Sequence, residues 1–142
     1  MIQVAPYIIA ALREDGTFTF PNVEVEDFYS VDEIRTLLVT VDESPSDEGI
    51  AIDDSPLIVS TTITVETYGQ QLQNGAQLFT AKESALKLME EVAAKIAARF
   101  GLRMVGSVTI RPYTDPTKVR AVARWTGYID TRRDTNNIYR RI

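Results

Sequence analysis

Apolar residues recur along this chain with two periods, one of three to four residues and one of two, and the periods predict its elements. From Ala81 to Phe100, Ala85, Leu88, Met89, Val92, Ile96 and Phe100 fall on one helical face. Thr80 and Glu83 stand in the Ser/Thr-x-x-Glu capping pattern ahead of this helix, and Gly101 marks its stop. A shorter helix is predicted from Pro6 to Glu14, with proline at its first position, an apolar stripe of Tyr7, Ile8 and Leu12, and Asp15-Gly16 at its end.

The two-residue period predicts strands. In Leu57 to Tyr68, Leu57, Val59, Ile63 and Val65 alternate with Ser60, Thr62, Thr64 and Glu66, so one side faces a core and the other water. Arg35 to Val41 reads as an earlier strand, with Leu37, Val39 and Val41 on one face. Short extended pieces are expected at Phe18 to Phe20 and Val23 to Val25, broken by Pro21-Asn22. Arg103 to Arg111 and Lys118 to Asp130 form a strand pair joined by a turn-rich connection from Pro112 to Pro116. In the latter strand Val119, Ala121, Ala123, Trp125, Gly127 and Ile129 share one face, and Arg120, Arg124, Thr126 and Tyr128 the other.

Two stretches escape both periods. Asp42 to Pro56 contains two prolines, a glycine and six carboxylates and reads as a long acidic loop, an element of a kind that is often mobile or functional and that here suits an arm ordering against a neighbour. Gly69 to Leu78 reads as a second, glutamine-rich polar loop. Strands joined by turns, with helices to cover one face, give an α+β fold: a mainly antiparallel sheet, the long helix 81–100 and the short N-terminal helix packed on one side. The 142 residues form a single domain with a basic C-terminal tail at 131–142.

Charge changes this picture from a plain domain to a polarised one. Residues 1–68 carry two basic and fourteen acidic side chains, net −12, whereas residues 69–142 carry thirteen basic and six acidic, net +7. Such a chain either neutralises itself within the fold or presents opposite patches that orient copies toward one another. The candidate contact residues are Asp42, Glu43, Asp47, Glu48, Asp53 and Asp54 in the acidic segment, with Arg120, Arg124, Arg132, Arg133, Arg140 and Arg141 in the basic half.

Composition also excludes chemistry. The chain has no histidine and no cysteine, which removes the commonest general base, the commonest metal ligand and the usual activated nucleophile pairs. No phosphate-cradling glycine motif or nucleophile elbow is present. Carboxylate-only catalysis needs two acids fixed on a rigid cleft, and here the acids crowd into one segment. Asp42, Ser44, Ser46 and Asp53 have the faint spacing of a calcium loop, but Pro45 interrupts it and neither the turn glycine nor the terminal glutamate is in place. The expectation is a protein without catalytic, cofactor or metal sites, without a leader peptide, and without an apolar run approaching the roughly 20 residues of a membrane span.

From Lys118 to Ile142 seven basic residues against two acidic, interleaved with Trp125, Tyr128 and Tyr139, also permit contact with nucleic acid. Strand parity places Trp125 on the apolar face, which favours a packed residue over a stacking platform. Arg120 and Arg124 suit a solvated surface, an acidic partner or a lumen lining, and alternation does not choose among them.

Residues 57–142 resemble the tail-terminator or tail-completion proteins of long-tailed bacteriophages. The resemblance lies in the strand ending Val65-Glu66-Thr67-Tyr68-Gly69, the helix Lys82 to Phe100, the strand Val119 to Asp130 and the segment Asn137-Ile138-Tyr139-Arg140-Arg141. It implies a subunit of a ring, commonly a hexamer, in the neck of the virion and made in the host cytoplasm. The ring's faces would meet the tail tube protein and the head-tail connector proteins, and DNA would pass through its bore without sequence-specific binding. Arms and loops would reach neighbouring subunits, and no catalytic residue, cofactor or membrane would be involved. Many such rings favour an acidic bore, so the arginine-bearing strand more naturally faces a neighbour. A nucleic-acid-binding accessory protein and a related minor capsid or connector protein are the alternatives.

Overall fold

The structure is a computed structural model describing residues 4–15, 17–28, 37–52 and 55–130, with side chains at 4–14, 17–28, 37–44 and 61–127. Its elements in chain order are α1 (Ala5–Asp15), β1 (Glu24–Asp27), β2 (Leu38–Ile52), β3 (Ser55–Gln70), β4 (Leu72–Asn74), β5 (Gln77–Phe79), α2 (Ala81–Arg99), β6 (Arg103–Pro112) and β7 (Lys118–Asp130). Five strands form one sheet in the order β1-β2-β3-β7-β6; β4 and β5 make a separate hairpin. Every pairing in the large sheet is antiparallel except β1 with β2. The α+β class, the mainly antiparallel sheet and the two helices are as the periodicities predict.

Cross-strand register separates the two faces, because residues directly opposite one another project the same way. Val41, Val65 and Ala123 stand in one row, and Val39, Thr67 and Ala121 in another. Both rows are buried under the helices, α1 lying against β1 and β2 and α2 against β3 and β7. Ile8 and Leu12 from α1 join Leu88, Met89, Val92 and Ile96 from α2 in this core. Trp125 is 2% exposed within it, the packed residue its parity predicts.

The small residues of β3 and β7 let α2 come close. A Cβ at Gly69 would lie 2.3 Å from the carbonyl oxygen of Ala81 and 2.4 Å from the amide nitrogen of Ala85. The approach is fastened by hydrogen bonds: the Thr67 hydroxyl donates to the Ala85 carbonyl at 2.8 Å, and the Ser84 hydroxyl to the Gln70 carbonyl at 2.9 Å. Thr80 caps the helix as expected, its hydroxyl accepting from the Glu83 amide while the Glu83 carboxylate accepts from the Thr80 amide. The helix ends by a different device from the expected one. Phe100 is extended at φ −120° while its amide still donates to the Ile96 carbonyl, and Gly101 does not take the left-handed conformation.

Three expectations are corrected. The segment Asp42 to Pro56 is not a loop: β2 runs to Ile52 and pairs with β3 from Ser55, making a hairpin arm with register shifts between Pro45 and Gly49 and between Ile50 and Ala51. Pro45 stands opposite Thr61 beyond the β1-β2 pairing, which ends at Val41 among the described residues, an edge position of the kind that tolerates proline, and the first shift follows it. Gly69 to Leu78 holds the end of β3 and the β4-β5 hairpin, its turn at Gly75 with φ 63°. Phe18 to Phe20 is not a strand, and Phe20 instead sits edge-on to Phe79, 4.9 Å between ring centres. Residues 35 and 36 of the expected first strand and the tail at 131–142 lie outside the described residues.

Candidate functional site

The face of the sheet away from the helices carries the charge. Reading across the strands, β1 contributes Glu24 and Glu26, β2 contributes Asp42, and β3 contributes Glu66. Beyond them β7 contributes Lys118, Arg120 and Arg124, and the edge strand β6 contributes Arg103 and Arg111. The acidic front and basic back of the sequence thus become opposite sides of one surface. The sign changes between β3 and β7, where Arg120 meets Glu66 at 3.4 Å, with the side chains 32% and 12% exposed. At the acidic edge Arg13 from α1 pairs with Glu26 at 2.9 Å and donates through Nε to the Val25 carbonyl.

The seam is a small polar cluster. Tyr68, opposite Arg120, donates its hydroxyl to the Glu66 carboxylate at 2.6 Å, and its ring stands edge-on to Tyr113 from the β6-β7 turn. Arg120 Nε is buried and has no hydrogen-bond partner among the described residues. Burial first, then the hydrogen bond to the neighbouring Glu66 carboxylate, pushes the Tyr68 phenol well above its ordinary value of 10.0. A phenol whose pKa is raised by folding contributes stability below its unfolded value that is lost as pH rises above it. Tyr68→Phe is therefore expected to flatten the loss of stability above pH about 10, as read by denaturant midpoints from neutral to alkaline pH. An equal decline in both proteins would show that this phenol does not carry it.

The turn between β6 and β7 is held by Asp115, whose Oδ1 accepts from the Thr117 hydroxyl at 2.7 Å and amide at 3.0 Å. These bonds hold its carboxyl below the ordinary range.

Of the candidate contact residues, Asp42, Arg120 and Arg124 reach the charged face. Glu43 does not. It lies on the helix side, where its Oε1 accepts from the amides of Val4 at 2.7 Å and Ala5 at 3.0 Å, and its Oε2 from the Thr61 hydroxyl at 2.5 Å. A carboxylate there closes the N-terminus of α1, whose Pro6 has no amide hydrogen and whose Tyr7 amide turns back to the Val4 carbonyl. Glu43 is thus an internal latch. Asp47 and Glu48 lie on the arm between the shifted registers of Pro45 and Gly49. Asp53, Asp54, Arg132, Arg133, Arg140 and Arg141 lie outside the described residues. Arg103 and Arg111 were not candidates by sequence, although alternation within Arg103 to Arg111 places them together.

The arrangement is suited to recognising an oppositely charged macromolecular surface. The arm from 42 to 52 runs extended instead of wrapping round an ion. Among the described residues no helix is long and apolar enough to cross a membrane, and no group of three or more acidic side chains is placed to hold a metal ion. No protein-family model and no curated protein matches the chain.

Proposed function

We propose that the protein is a structural subunit that assembles with copies of itself into a ring, the tail terminator at the head-tail interface of a long-tailed bacteriophage. The observation that carries assembly is the charge gradient across one sheet face, acidic at the β1 side and basic at the β6 side. Opposite signs on opposite sides of one subunit favour a head-to-tail contact, and repetition of such a contact closes a ring when its rotation permits. The phage setting rests on the resemblance of residues 57–142, and with it come a virion location, a tail tube and a connector as partners, and work done by surfaces without catalysis.

Electron micrographs of the purified chain mixed at low salt with tail tubes of the same phage test this reading. Rings seated on tube ends are expected; bare tube ends with no rings contradict it.

A second reading, a nucleic-acid-binding accessory protein, draws on the five cations of β6 and β7. It predicts DNA binding that falls steeply with salt and is lost when Arg120 and Arg124 are reversed in charge. A gel shift with no complex at low salt removes it.

A further inference from the structure

We infer that the outer face of β7 and β6 is the receiving surface for the acidic β2-β3 arm of a second copy; the inference rests on the assembly reading and names its contact. The receiving side is a strip of like charge. Arg111 and Arg120 stand directly opposite on neighbouring strands, where like charges repel. Arg124 faces Val105, which is 51% exposed on the same surface. Glu66 is the single carboxylate on the neighbouring strand's outer face among the described residues, and it leaves Arg120 Nε without an acceptor. An incoming carboxylate relieves the repulsion between the paired arginines. Arginine and tyrosine, here Arg120 beside Tyr68 and Tyr113, are also the side chains that most often anchor protein contacts.

The arm supplies the complement. Its described residues 45–52 and 55–57 include Asp47 and Glu48 and no basic residue.

Register shows why the acceptor is another copy. The cations sit level with Thr62 to Gln70 of β3, whereas the arm runs alongside Thr61 to Ser55, in the opposite direction. An arm therefore points away from its own basic strip. Its length suits a neighbour's: the bulged strand spans the length of Ser55 to Thr61 opposite it, about 20 Å, the extent of β7 from Arg120 to Thr126.

The test is sedimentation velocity of the full chain at low salt, with circular dichroism and thermal midpoints confirming that each variant is folded. Arg111→Glu with Arg124→Glu, and separately Asp47→Lys with Glu48→Lys, should each weaken self-association at least tenfold. The chain carrying all four changes should recover to within about threefold of the wild type, because the reversed arm then meets a reversed face. If the wild type associates and every variant matches it, the proposed contact is wrong while assembly stands. If the arginine variant loses association, the fourfold variant does not recover it, and labelled duplex DNA binds the wild-type face alone, the partner is nucleic acid and the inference falls. A wild type that stays monomeric overturns the inference and the assembly reading together.

Discussion

Gly69→Ala is expected to destabilise the protein by about 3 kcal/mol, the upper part of the range for overpacking a filled site. For a domain of this size that corresponds to a fall of about 10 °C in the thermal midpoint. The new methyl would meet the Ala81 carbonyl oxygen, the Ala85 amide nitrogen and the Ser84 hydroxyl, at 2.3, 2.4 and 2.5 Å. Two of these are backbone atoms of α2, which cannot rotate aside, so the first turns of the helix must lift from β3. Lifting lengthens the Thr67 to Ala85 and Ser84 to Gln70 hydrogen bonds that dock the helix. Gly69 does not take the left-handed conformation, so lack of space alone drives the effect. A midpoint within 2 °C of the wild type would show that the helix can shift cheaply.

Glu43→Ala should cost about 2 kcal/mol, the scale of losing a charged helix cap and a charge-assisted hydrogen bond. It strands two amides at the start of α1 and the Thr61 hydroxyl. Glu43→Gln keeps an acceptor for the amides and loses the negative charge, so it should recover most of the difference. Urea midpoints of the three proteins check the order. If alanine and glutamine cost equally, the charge at the helix end outweighs the hydrogen-bond geometry. If neither costs anything, α1 is held by its apolar stripe alone.

Much of this fold is legible in the chain. The face assignments of β3 and β7 follow from alternation because one side is buried, and the Thr80 to Glu83 cap follows from local geometry. The arm was not legible, since Pro45, Gly49 and the carboxylates resemble loop composition, while an edge position for Pro45 and the register shift after it let the strand continue through them. The end of α2 was legible in position, since the helix stops ahead of Gly101, but not in its device: an extended Phe100 makes the stop, without a left-handed glycine.

At the site, sequence located the sign split but not its layout. Strand order, a matter of tertiary pairing, is what puts Glu24 and Arg103 on opposite sides of one face. The role of Glu43 left a trace: it follows Val39 and Val41 in the core-facing parity, where a carboxylate needs donors. Its partners lie 38 and 39 residues away, so local patterning could not identify them.

The central claim, that this protein works by associating through a charge-polarised surface, is tested most directly by its molar mass from light scattering as salt is varied. Exposed charges screen one another over about 10 Å at 0.1 M salt and about 3 Å at 1 M. The account predicts a mass several times that of one chain at low salt, falling toward one chain as salt rises. A mass of one chain at every salt and protein concentration would contradict it.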